Sequence, residues 1–393
     1  IMLRSRFFAI LTLLAFVALI LPHPTSVTKA ETVEPSAAIN VACVFATGGL
    51  GDKSFNDMAK LGLDNAIADG IMNAWGSGSA YSEPNEIEEY IGLLENYASA
   101  GTYDLIVSIG FDQATAVNET AKAFPTQKIV LIDMVVTQGS VRSVVYNTQE
   151  GSFLVGAMAG YVTKTDMIGF VGGMDNFIIR PFWAGYKAGA FYVNRDVEVL
   201  ENFVGNWDDP ATAKAQAEAL YAAGCDIVFV AAGKSGLGAL EAASQQTGER
   251  YAIGVDADQD GLYPGDILCS MMKRVDLSVY NAVSDVSTGA DWPGGIPGTG
   301  GLHVNGLGDH GVGISPMTHT QSIVADYIEE VNVTLRGQIV SGDIVVPDNE
   351  AAVDEFIEDL GGEEDEGEDI PGFTLLIAVG ALAAVPIILR RRR

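Results

Sequence analysis

The order of residues predicts a doubly wound α/β protein built as two lobes, and three observations carry that expectation. Eight short apolar or β-branched runs recur at 39–46, 104–110, 128–133, 167–172, 197–204, 225–231, 251–256 and 267–272. Segments with helical apolar spacing stand between most of them, at 55–68, 86–100, 149–162, 181–193 and 211–222. The chain has 393 residues, enough for about two domains once its compositionally distinct ends are set aside. Near-continuous apolar strands separated by helices imply parallel sheets covered on both faces.

Taken in order, the chain opens on Arg4 and Arg6, an unbroken apolar run at 7–21, and a small-residue stretch ending at Ala30. That is the layout of a secretory signal cleaved after Ala30; a retained anchor is the alternative, although the run is short for a membrane span. A first lobe is expected at 39–147, where three of the strands lie. The texture changes near Asn147, and a second lobe is expected at 148–257 with the next four strands. The chain then returns to the first lobe over 258–291, and the Gly/Pro-rich stretch beginning at Trp292 leads back to the second over 292–350. An acidic linker is expected at 351–369, followed by 20 uncharged residues at 370–389 and four arginines. A span of that length with a basic stop reads as a transmembrane anchor holding the protein at the extracellular face of the plasma membrane. The segment Ile370-Pro371-Gly372-Phe373, with the apolar span and arginine tail, resembles the PGF-type anchors of archaeal surface proteins.

Charge narrows the partners. The chain carries 22 basic and 51 acidic residues. Seven of the basic residues lie before residue 31 or after 369, where no acid lies, so the middle balances 15 against 51. A surface that acidic repels phosphate backbones, which excludes nucleic-acid binding through a basic face. Cys43, Cys225 and Cys269 all sit in apolar strand-like runs and read as buried free thiols. The sequons at Asn118 and Asn332 become usable only on an exported chain.

In sheets of this type ligands bind beyond the carboxyl ends of the strands, so those loops hold the candidate residues. The strand at 39–46 runs into Thr47-Gly-Gly-Leu-Gly-Asp-Lys-Ser-Phe-Asn56, in which Ser54 or Asn56 can cap the next helix. It is not a phosphate loop: Asp52 stands where a glycine must precede Lys-Ser, and Val228 stands where Gly233-Lys234-Ser235 needs its first glycine. The calcium-like Asp256-x-Asp258-x-Asp260-Gly261 meets Ile267 at its twelfth position and follows a strand. His303, His310 and His319 lack metal spacing. No cofactor, metal or catalytic residue is expected, and no nucleophile elbow or Ser-His-Asp grouping is favoured by the order of residues.

Six blocks go further: GGLGDKSFN at 48–56, EGSFLVGAMAG at 150–160, IGFVGGMDNFIIRPFWAGYKAG at 168–189, AGKSGLG at 232–238, AIGVDADQ at 252–259 and SMMKRVD at 270–276. In these blocks, and in their order, the chain resembles the basic membrane protein family of extracytoplasmic solute-binding proteins, whose best-known members bind purine nucleosides for ABC importers. The resemblance implies a periplasmic-binding-protein type I fold with a hinge and an interlobe cleft. It implies that Phe55 and Trp207 sandwich a planar base, that Gly233 lines the pocket beside Asn56, and that Asp256 and Lys273 bond the ribose hydroxyls. Each residue also has a plainer reading: Phe55 as core, Trp207 as a surface aromatic beside a helix start, Asp256 as a turn cap, Lys273 with Arg274 as a solvated pair. The chain departs from the family where acids are expected, with Ala46 and then Thr47 in one place and Thr115 in the other; Asp112 is the acid that can substitute from a different angle.

The function expected from this is capture of a nucleoside or similar ribosylated solute and its delivery to an ABC permease, without chemistry. A sensory ligand receptor and an extracellular nucleoside-processing enzyme are the alternatives.

Overall fold

Apolar runs of this kind cannot be satisfied singly, and in the computed structural model of the protein they pair into two six-stranded sheets. The structure describes residues 37–294 and 301–361. The expected signal at 1–30 and the segment at 370–393 lie outside the described residues.

The first sheet gathers β1 (Val41–Val44), β2 (Ala80–Ser82), β3 (Leu105–Ile109), β4 (Ile129–Ile132) and β5 (Val141–Tyr146). The second gathers β6 (Met167–Gly172), β7 (Glu198–Phe203), β8 (Ile227–Ala231), β9 (Tyr251–Asp256) and β10 (Ile267–Lys273). The chain then returns once to each: β11 (Leu302–Asn305) pairs parallel with β5, and β12 (Val312–Ile314) pairs antiparallel with β10. The sheet orders are β11-β5-β4-β3-β1-β2 and β12-β10-β9-β8-β6-β7. All other pairings are parallel. Each sheet is buried on both faces by helices, which is why strands such as β1, β3, β4 and β8 are apolar at nearly every position and show no alternation.

The sheet orders fix where a ligand can sit. In the first sheet the chain moves from β1 outward to β2 and then back past β1 to β3. In the second it does the same at β6, β7 and β8. A crevice opens at such a reversal, beyond the carboxyl ends of the strands. The loops there are 45–54 and 110–113 from the first lobe, and 173–179 and 232–235 from the second.

Three expected boundaries need correction. The stretch 258–291 was expected in the first lobe, but β10 lies beside β9 in the second sheet, and only the helix Val275–Ser287 crosses, packing on the helix Phe55–Ala68. The Asp/Gly/Pro-rich loop 257–266 resembles a crossover, yet the apolar run behind it pairs parallel with β9 and is buried there. Likewise 292–350 was expected wholly in the second lobe, whereas β11 completes the first sheet. Finally, the acidic linker at 351–369 begins as a helix, Glu350–Gly361. Val353, Phe356 and Ile357 share one face at helical spacing, and Phe356 meets Phe153 edge to face at 6.3 Å between centroids.

Cys43, Cys225 and Cys269 are buried free thiols, and burial lifts all three above the ordinary thiol range. No helix among the described residues is long and apolar enough to cross a membrane.

Candidate functional site

Lys273 ends β10 at the point where the chain leaves the second lobe, and its position there gathers the polar part of the site. Its side chain is 3% exposed, and Nζ donates to Asp133 Oδ2 of the first lobe at 2.6 Å. Three aromatic rings surround the ammonium, with centroids 4.8 Å away at Phe55, 5.0 Å at Tyr146 and 5.8 Å at Phe182. Such rings favour a desolvated cation through their negative faces. An ammonium has three donors, and Asp133 is the hydrogen-bond acceptor it has among the described residues.

Asp256 ends β9 one strand away. It accepts from the Ser54 hydroxyl across the gap between lobes, and Gln259 Nε2 reaches the Lys53 carbonyl beside it at 2.9 Å. Burial pushes its carboxyl up to about 6, against the pull of Lys273 and Ser54, with Asp52 and Asp133 adding like charge. Both Asp133 and Asp256 hold left-handed backbone, with φ of 72° and 64°. For residues other than glycine this costs about 1–3 kcal/mol and persists where the surroundings impose it, commonly at functional sites. Two such residues flanking one lysine form an observation independent of any sequence likeness.

The loop after β1 is braced by Asp52, which accepts the backbone N–H groups of Ser54, Asn56 and Asp57 at 2.8–3.1 Å. Burial raises its carboxyl above the ordinary range despite these bonds. Asn56 turns its side chain back, with Oδ1 accepting from the Ala46 N–H at 2.9 Å. Phe55, the first residue of the helix, is thereby aimed at the gap.

Trp207 faces this loop from the second lobe. Its carbonyl accepts from the Ser235 N–H at 2.9 Å, and the Ser235 hydroxyl donates to the Asn206 carbonyl at 2.8 Å and accepts from the Asp209 N–H at 2.7 Å. The indole lies on a backbone floor: a methyl group at Gly173 would come within 2.3 Å of Cζ3, and Gly233 passes beneath Cε3. One edge of the ring is thus packed while the side chain lines the gap.

Between the lobes these residues enclose about 680 Å³ of empty space, the solvent at its mouth included. All seven residues singled out from the sequence line it: Phe55, Asn56, Asp112, Trp207, Gly233, Asp256 and Lys273. Sequence reasoning missed Asp133 and Phe182, which line it too, and Tyr90, which stands behind Asp112. Asp133 had a signal, because it closes an expected strand at its carboxyl end. Tyr90 had none, since its buried position in the helix Glu89–Ala100 reads as core.

Residues 39–350 match the family described as ABC transporter substrate-binding protein, PnrA-like. An uncharacterized lipoprotein of Pyrococcus horikoshii is 36% identical over 299 residues, covering 72% of this chain and 71% of its own. Basic membrane protein D of Borreliella burgdorferi is 30% identical over 316 residues, covering 79% and 88%. A crystal structure of an ABC transporter solute-binding protein from Aeropyrum pernix superposes with a TM-score of 0.70 at 29% identity, over 82% of this chain and 98% of that one. One expectation is overturned. The described residues hold no helix able to span a membrane, and the Pyrococcus protein is named a lipoprotein, a class attached through lipid. The extracellular placement through a C-terminal transmembrane anchor, and the membrane as a partner through that helix, are withdrawn.

Proposed function

The chain belongs to the PnrA-like family of ABC transporter substrate-binding proteins, and from that premise we propose that its solute is a nucleoside or similar ribosylated compound held between the lobes. Membership implies a small-molecule ligand and a permease as partner. The family is one of binding proteins, so the solute is expected to leave unchanged.

The observation that carries the nucleoside reading is the pairing of two unlike ends in one cavity. Phe55 and Trp207 bring aromatic rings from opposite lobes, while Asp256 and Lys273 bring an acceptor and donors. Rings suit the two faces of a flat base, at about 1–3 kcal/mol per stacked base. An acceptor beside a donor suits a vicinal diol, whose hydroxyls both give and take hydrogen bonds. The contacts of Ser54 with Asp256 and of Asp133 with Lys273 join the lobes at the sugar end, so lobe closure and ribose recognition share residues.

Native mass spectrometry of the protein mixed with inosine, adenosine, ribose and free purine tests the reading. A 1:1 complex with the nucleosides that outlasts those with ribose and purine is the expected result. Chromatography of the same mixture separates receptor from enzyme, because release of free base would defeat the receptor reading.

The charge of the lining makes a second prediction. Asp52, Asp112, Asp133 and Asp256 line the cavity with Lys273 and Lys234, and Lys234 is already paired with Asp208 at 2.8 Å. A phosphate monoester would enter against this excess of negative charge. Inosine monophosphate is expected to bind at least about a hundredfold more weakly than inosine by calorimetry; equal affinities would contradict the neutral-solute assignment.

A further inference from the structure

We propose that Gln259 is a clasp that holds the two lobes together from behind the cavity, so that it governs how long a solute stays without touching it. Gln259 lies on the loop after β9, is 4% exposed, and stands outside the lining of the cavity. Its partner across the gap is Lys53, which precedes the helix Phe55–Ala68 of the first lobe and stands outside the lining too. The action of the clasp therefore does not depend on which solute fills the cavity.

The two ends of the carboxamide cannot be exchanged. The Val255 backbone N–H, which can only donate, reaches Oε1 at 2.9 Å. The Lys53 carbonyl, which can only accept, lies 2.9 Å from Nε2. One bond thus stays inside the second lobe and the other crosses to the first. The backbone of Gln259 is anchored as well: its N–H donates to Ser270 Oγ on β10 at 3.0 Å, and its carbonyl accepts from the Leu262 N–H at 2.9 Å. Gly254 leaves room for the carboxamide, because a methyl group there would come within 2.5 Å of Oε1. On the first lobe, Lys53 holds left-handed backbone with φ of 54°, a conformation that persists where the surroundings impose it. The next residue, Ser54, is buried and gives its hydroxyl to Asp256. Two side chains of the second lobe therefore hold adjacent residues of the first. Asp256 lines the cavity, whereas Gln259 has no face on it. Opening the lobes breaks the crossing bond, so closure gains from it whether the cavity is filled or not.

Small-angle X-ray scattering, with stopped-flow binding of inosine and adenosine, tests this on the wild type and on Gln259→Met. Methionine keeps the length of the side chain and removes both carboxamide bonds. The ligand-free variant is expected to show a larger radius of gyration than the ligand-free wild type. Both nucleosides are expected to leave the variant at least about fivefold faster, by a shared factor and with association no slower. Equal radii, unchanged dissociation, or a loss that differs between the two nucleosides by more than about threefold overturns the clasp. If the wild type binds neither nucleoside, the nucleoside reading falls and the radii alone decide the clasp. If the variant does not fold, as judged by circular dichroism, hydrogen exchange at the Gln259 carboxamide of the wild type decides. Protection that rises when inosine is added supports the clasp, and protection that inosine leaves unchanged overturns it.

Discussion

Lys273→Met is expected to weaken nucleoside binding by roughly tenfold to a hundredfold and to destabilise the fold, most of all at neutral and alkaline pH. A hydrogen bond to a charged group contributes about 1.5–3 kcal/mol, and methionine keeps the volume but offers no donor. The larger effect is on the protein itself. Asp133 and Asp256 are 8% and 5% exposed, and removal of one member of a buried pair costs about 3–5 kcal/mol because the other charge is left uncompensated. The pH dependence has a definite sign. A carboxyl raised above its unfolded value stabilises the fold below its ordinary range near 4, and loses that contribution as pH rises through its folded value, here about 6 for Asp256. Lys273 opposes the rise, so its loss moves that window upward. Thermal unfolding from about pH 4 to about pH 8 should therefore show the variant furthest below wild type at the alkaline end and recovering in acid. A uniform deficit across that range would contradict the electrostatic account. Adding Asp133→Leu should restore much of the stability while binding stays weak.

Trp207→Ala is the second large effect, with the opposite signature: at least about fivefold weaker binding and little change in folding. The side chain is half-buried, and the loop that carries it is held by backbone and Ser235 bonds that do not use the indole. What the ring supplies is a flat face over the cavity. Loss of one stacked face is worth about 1–3 kcal/mol, roughly fivefold to 150-fold in affinity, and Trp207→Phe should retain most of it. Unchanged affinity in Trp207→Ala would remove Trp207 from the site.

The two lobes were legible because strands buried on both faces are apolar throughout, and ligand loops follow their carboxyl ends. That pattern marked the loops to read, whereas the roles expected of the candidate residues within them came from the family resemblance. What was not legible lacked that mark. β2 and β12 are three residues each, and β11 is Leu-His-Val-Asn inside a Gly-rich stretch. β5 is interrupted by Arg142, whose burial depends on Asp285 at 2.6 Å and on the Trp292 ring at 4.0 Å, both more than 140 residues away. Partners that distant leave no local pattern. The same holds at the site: Lys273 could be read as a solvated neighbour of Arg274 until Asp133 and three rings were found around it.

The central claim is that rings grip the base while Asp256 and Lys273 grip the ribose diol. Calorimetric titration with inosine and with 2′,3′-dideoxyinosine tests both halves at once. The account predicts a 1:1 complex with inosine and, with two hydroxyls gone, affinity at least about a hundredfold lower for the dideoxy compound. Equal affinity for the two, or no binding of inosine, would contradict it.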